Sequence, residues 1–134
     1  MNKRIKTLFV FFICLKVMCQ QPIEPDWKDL NYAGNKQGYH TMDIYLPKKN
    51  KKKYPVVMTI YGSAWGRNDK KGANKRKKEV LIKSGFAVVS INHRSSYDAI
   101  FPAQIHDVKA AIRFIRGNAK KYKIDTSFFG ITGS

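Results

Sequence analysis

The order of apolar segments predicts an α/β domain with a mostly parallel central sheet and flanking helices. Two observations carry this. Tyr54–Ile60, Phe86–Ile91 and Phe128–Thr132 are short, nearly continuous apolar runs, as in strands buried on both faces. Between them lie two longer stretches of amphipathic character, Asn74–Ser84 and Pro102–Tyr122. Buried strands alternating with amphipathic helices imply parallel pairing through right-handed crossovers.

Taken in order, the chain opens with a segment that reads as an address. Asn2-Lys3-Arg4-Ile5-Lys6 is positively charged, Leu8–Leu15 is an uninterrupted apolar run of eight residues, and Val17-Met18-Cys19 offers a cleavage position. This is the pattern of a secretory signal peptide over residues 1–19. The run is too short for a membrane span, which takes about 20 apolar residues. The expectation is a secreted or periplasmic protein. Two other readings stay open. One is a lipoprotein acylated at Cys19, against which Met18 stands because that site prefers a small neighbour; the other is a buried N-terminal helix. Residues 20–37 begin with Gln20–Asp29, which has two prolines and no periodicity and reads as a linker or lead-in. The folded domain is expected over residues 38–134.

Tyr39–Leu46 alternates as a strand does, with Met42, Ile44 and Leu46 on one side, and Pro47 ends it. Tyr54–Ile60 follows as the first buried strand. The helix over Asn74–Ser84 places Val80 and Leu81 inward beneath a basic outer face, and Gly85 supplies its C-terminal stop. After the strand Phe86–Ile91, the helix over Pro102–Tyr122 carries one apolar stripe, Ile105, Val108, Ile112, Ile115 and Ala119, with Pro102 in its first turn. Phe128–Thr132 is the last buried strand.

The 134 residues allow one domain with a core of ordinary size, and an apolar content of 43% excludes a chain disordered by composition. The formal charge of +17 raises the question of nucleic acid. Its distribution answers it: four positive charges sit in the first 19 residues, and much of the rest lies in Lys48–Lys53 and Lys70–Lys78, where a loop and an exposed helix start are expected. Such runs read as solvated surface, and neither zinc-finger spacing nor an RNA-recognition aromatic motif is present. Both cysteines, Cys14 and Cys19, belong to the address segment, and His40, His93 and His106 show no metal-ligand spacing. No metal and no cofactor is implied.

In a sheet of this kind chemistry is sought at the carboxyl ends of the strands. Three segments leave strands there: Tyr61–Arg67, Asn92–Tyr97 and Gly133 onward. The last fits the first half of a nucleophile elbow, G-x-S-x-G, with Gly133 as the first glycine and Ser134 as x. Ser134 as the nucleophile would put β-branched Thr132 where the tight turn needs glycine. The expected serine is therefore the residue after Ser134, and the expectation is the front part of a serine hydrolase.

Five segments, in order, carry a resemblance. Asp43-Ile44-Tyr45-Leu46-Pro47, Ile60-Tyr61-Gly62-Ser63-Ala64-Trp65, Ile91-Asn92-His93-Arg94, Phe101-Pro102-Ala103-Gln104 through Asp107-Val108-Lys109-Ala110-Ala111, and Gly130-Ile131-Thr132-Gly133-Ser134 together resemble the α/β-hydrolase family. Within it they are most similar to the esterase/lipase branch with an H-G-G-G-type loop, notably bifunctional acetylxylan and feruloyl esterases. The resemblance covers residues 38–134 and implies the N-terminal part of an α/β-hydrolase fold. It implies a serine esterase whose substrate is an ester, carbohydrate-linked, with peptidase or amidase chemistry as the same-fold alternative. A non-catalytic cationic binding protein is the alternative of another class.

By the same resemblance, the backbone N–H groups of Gly62, Ser63 and Ala64 belong to an oxyanion hole, and Trp65 borders a pocket or covers the core. Arg94 and Asp107 form a structural ion pair, and the whole triad lies after Ser134. Two departures stand out: Tyr61 replaces the family's histidine and Ser63 its second glycine. A position needing positive φ would suit serine poorly. His93 and His106 read as packing or surface residues.

Overall fold

The computed structural model describes residues 23–64, 66–72 and 75–133. The address segment 1–19 with Cys19, and the site candidates Trp65 and Ser134, lie outside them. The elements are β1 (Trp27–Asn31), a 3-10 turn (Gly38–His40), β2 (Thr41–Tyr45), β3 (Tyr54–Ile60), α1 (Lys75–Lys83), β4 (Ala87–Ile91), α2 (Ala103–Gly117) and β5 (Ile124–Thr132). They form one mixed sheet in the order β1-β2-β4-β3-β5. β4, β3 and β5 are parallel, while β2 pairs antiparallel with both β1 and β4.

β4 and β5 flank β3 on opposite sides, so the chain crosses the sheet once in each direction. Crossovers of one hand then place α1 and α2 on opposite faces. Alternation along the strands divides the core accordingly. Met42, Ile44, Val56, Met58, Val89 and Ile91 pack with Ala111 and Ile115 of α2, while Tyr45 and Val88 pack with Ile82 of α1. Among the described residues no helix is long and apolar enough to cross a membrane.

Four local expectations need correction. The stretch read as a lead-in contains β1, whose register shifts between Trp27 and Leu30 and whose Asp29 has φ of 53°. A bulged edge strand breaks the alternation by which strands are read. In α1, Leu81 packs against the core as expected, but Val80 is 56% exposed, and the buried positions are Lys78 and Ile82, one turn apart. α2 ends at Gly117, where Asn118 Nδ2 donates to the Phe114 carbonyl at 2.9 Å. Its buried face is Gln104, Asp107, Ala111 and Ile115, leaving Ile105 at the surface. Finally, β5 is the sheet edge here, and Phe128 and Ile131 are half exposed.

Candidate active site

Three strand ends meet at one cleft. A cavity of about 300 Å³ is lined by Ile60, Tyr61, Gly62, Ser63 and Ala64 after β3, by His93 after β4, and by Gly133 after β5. The loop after β3 leads toward α1 and the loop after β4 toward α2, on the other face. Where adjacent loops diverge in this way, a crevice opens at the carboxyl edge of the sheet. The segment carrying the three oxyanion candidates and Gly133, the candidate elbow glycine, are thus brought together.

The loop after β3 is shaped by its own side chains. Ser63 Oγ accepts the Arg67 backbone N–H at 2.9 Å and donates to the Arg67 carbonyl at 2.7 Å. The Ser63 carbonyl accepts the Gly66 N–H at 3.0 Å. Serine in place of glycine therefore closes a five-residue turn. The positive φ falls one residue later, on Ala64 at 48°. That region costs a residue with a Cβ roughly 1–2 kcal/mol. A Cβ at Gly72 would lie 3.0 Å from Cε2 of Tyr61 and 2.5 Å from an Asp69 carboxylate oxygen, so the bare backbone there makes room for the Tyr61 ring. At the far wall, the Lys77 ammonium donates to Thr132 Oγ1 and to the Gly133 carbonyl, both at 3.2 Å, holding the end of β5 to α1.

The loop after β4 rests on a buried carboxylate. Asp107, 3% exposed, accepts the Arg94 backbone N–H at 2.9 Å and Arg94 Nη2 at 2.6 Å. His40 Nε2 lies 3.2 Å from the same carboxylate. Burial pushes the Asp107 carboxyl up, but the Arg94 hydrogen bonds and the charges of His40 and Arg94 outweigh it, holding it below the ordinary carboxylate range. The ion pair anticipated between Arg94 and Asp107 is present; His40 as its third member was not anticipated. Gln104 Nε2 donates to the carbonyls of Ser95 and Ala99, at 3.2 and 2.8 Å, bracing the same loop. His93 is 2% exposed, and its Nδ1 donates to the Arg94 carbonyl at 2.7 Å. It therefore lines the cleft wall, whereas His106 is exposed on α2.

The lysine stretch also departs from expectation. Its first and last members, Lys70 and Lys78, are 4% and 7% exposed. Lys78 Nζ donates to Tyr45 Oη at 3.1 Å and lies 4.2 Å from that ring's centre. Burial lowers the Lys78 pKa and pushes the Tyr45 phenol up to about 12. The spacing of Lys78 and Ile82 on one helix face was the readable signal for the burial of Lys78.

Comparison with known proteins adds three findings. The BD-FAE family model matches residues 42–134. A curated relative, Esterase LipQ of Mycobacterium tuberculosis (strain ATCC 25618 / H37Rv), is 37% identical over 79 residues, which is 59% of this chain and 19% of that protein. Among solved structures, a "Bifunctional GH43-CE" of Bacteroides eggerthii is 61% identical with a TM-score of 0.78, over 80% of this chain and 15% of that one. A "truncated form of carbohydrate esterase from gut microbiota" is 53% identical with a TM-score of 0.80, over 85% of this chain and 40% of that one. Esterase structures at 23–24% identity share the fold alone. The chain thus spans 15–40% of the length of these relatives.

Proposed function

The chain belongs to the BD-FAE family, and from that premise we propose that the protein is an exported serine esterase acting on carboxylic esters. The fold is the N-terminal part of an α/β-hydrolase. The favoured substrates are acetyl or feruloyl groups on plant polysaccharide. One observation carries the reading. The loop Gly62–Ala64 and the elbow start at Gly133 line the same cleft at the carboxyl ends of parallel strands.

On this reading the serine after Ser134 attacks the acyl carbon. A histidine takes its proton, and a carboxylate orients that histidine. The electron pair of the carbonyl moves onto oxygen, which is received by backbone N–H groups of Gly62, Ser63 and Ala64 and by the one after the serine. Collapse expels the alcohol, which takes the proton from the histidine, and water repeats the sequence on the acyl-enzyme, releasing the acid and restoring the serine. A single such donor is worth about 3 kcal/mol in the transition state of other hydrolases. The serine, acid and histidine all follow Ser134, so residues 1–134 alone hydrolyse nothing.

The test has two arms. The full-length protein should release acetate or ferulate from decorated xylan and lose this on replacing the elbow serine by alanine. Residues 1–134 and their Ser134→Ala variant should be equally inert toward p-nitrophenyl acetate. Turnover by the 134-residue chain that vanishes in Ser134→Ala would make Ser134 the nucleophile. Cleavage of anilides with no action on esters would sink the esterase reading.

A further inference from the structure

A buried charge cluster that no step of this reaction uses lies at the far end of the loop after β3. The Lys70 ammonium contacts the carboxylates of Asp29 and Asp43 together. Asp43, on β2, is 1% exposed, and the Asp29 backbone N–H donates to its Oδ1 at 2.8 Å. The bulge of β1 and the positive φ of Asp29 turn that N–H toward Asp43, while the Asp29 carboxylate reaches Lys70 from the surface, its side chain 58% exposed. Aspartate is among the residues that tolerate this conformation. The backbone of Lys70 is held as well: its N–H donates to Asn92 Oδ1 at 2.7 Å. Asn92 Nδ2 in turn donates to the Gly38 carbonyl at 3.2 Å and to Thr41 Oγ1 at 3.3 Å.

Stability alone does not account for such a cluster. Burying an ammonium is expensive, and apolar side chains of similar volume in place of a buried ion pair are often neutral or stabilising. Charged hydrogen bonds do fix position, because they are directional. Position is what matters for the segment 61–72, which carries the oxyanion candidates. Among the described residues from 61 to 72, Lys70 is the one that is buried. The near end of the segment continues β3, and among its described residues Lys70 is the buried anchor of the far end.

We propose that Lys70 is a positioning residue for the loop that carries Gly62, Ser63 and Ala64. Its ammonium pins the far end of the loop to β1 and β2 through Asp29 and Asp43, and its N–H pins the same point to β4 through Asn92. The inference rests on the oxyanion reading of that loop only for its effect on turnover, not for its effect on loop mobility.

The experiment uses the full-length protein with two readouts: amide hydrogen exchange by peptide, and steady-state turnover of p-nitrophenyl acetate. Lys70→Met strands the buried Asp43 carboxylate and can unfold the protein. Lys70→Met/Asp43→Leu removes the buried pair from both sides and keeps the test open. In the double variant, exchange over residues 61–72 should quicken at least about tenfold while residues 87–91 of β4 keep their protection. kcat should fall about tenfold with KM within about twofold, as for an interaction realised in the transition state. Lys70→Arg, which retains the charge, should recover most of both. Wild-type exchange over residues 61–72 in the double variant would overturn the proposal. So would quickening of both segments together, which marks a purely structural role. Quickening confined to residues 61–72 in a protein that cleaves no ester would support the tether and remove the oxyanion reading instead.

Discussion

Asparagine at position 107 isolates the most heavily hydrogen-bonded side chain beside the cleft. Asp107 Oδ2 accepts the Arg94 backbone N–H at 2.9 Å and Nε at 3.0 Å, and Oδ1 accepts Nη2 at 2.6 Å. An amide keeps one acceptor and turns an NH2 group toward a donor. Breaking a buried pair from one side costs 3–5 kcal/mol as a rule, and the Arg94 side chain is 28% exposed, so the lower end applies, about 3 kcal/mol. With a urea slope of about 2 kcal/mol/M, the unfolding midpoint should drop by about 1.5 M.

The pH dependence has a definite sign. The folded-state pKa of Asp107 is depressed below its ordinary 3.8. Its contribution is therefore fully present above the unfolded value and lost as pH falls through the folded one. The gap between wild type and Asp107→Asn should narrow as pH falls below about 4. Asp125→Asn, which removes an exposed pair with Lys53, should leave the midpoint in place. A drop under about 0.3 M, or a gap as wide at pH 3 as at pH 7, would refute the reasoning.

Other outcomes follow from the loop after β3. If backbone N–H groups receive the oxyanion, Tyr61→Phe should retain most of the turnover of the full-length protein, while Gly62→Val should abolish most of it without unfolding. The reverse pattern in folded variants would give the chemistry to the Tyr61 hydroxyl. Ala64→Val places a β-branched residue at φ of 48° and should lower both thermal stability and kcat. Ala64→Gly should be close to neutral by thermal unfolding, because about 1 kcal/mol of relieved strain is offset by extra freedom in the unfolded chain.

The apolar pattern made the larger part of the fold legible. The parallel strands β3, β4 and β5 and the two helices all stand where runs and stripes predicted, because each buries apolar residues against a neighbour. β1 was illegible: Trp27-Lys28-Asp29-Leu30-Asn31 is bulged, lies at the sheet edge and has no clean alternation. Polar burial was equally hidden. Gln104 and Asp107 displace Ile105 from the inner face of α2 because the loop after β4 has carbonyls and N–H groups that must find partners. Lys70 looked like the start of a solvated run, since its burial depends on Asp29 and Asp43, remote in sequence. That Gly62–Ala64 and Gly133 share one cleft was legible because each follows closely on a strand. The serine at position 63 could not be interpreted until its bonds to Arg67 were seen.

The cross-ties of Lys70 also bear on how the protein assembles. Its partners lie 41 and 27 residues before it and 22 residues after it. Each tie closes a loop whose entropy must be offset before the contact forms. The segment 61–70 can therefore take its final shape only after β1, β2 and β4 are side by side. During refolding, recovery of the strand signal in circular dichroism should precede protection of the amides in that segment. A chain caught midway would possess a sheet without a working cleft. The geometry of the loop after β3 is then set at the last stage of folding, after the secondary structure that surrounds it.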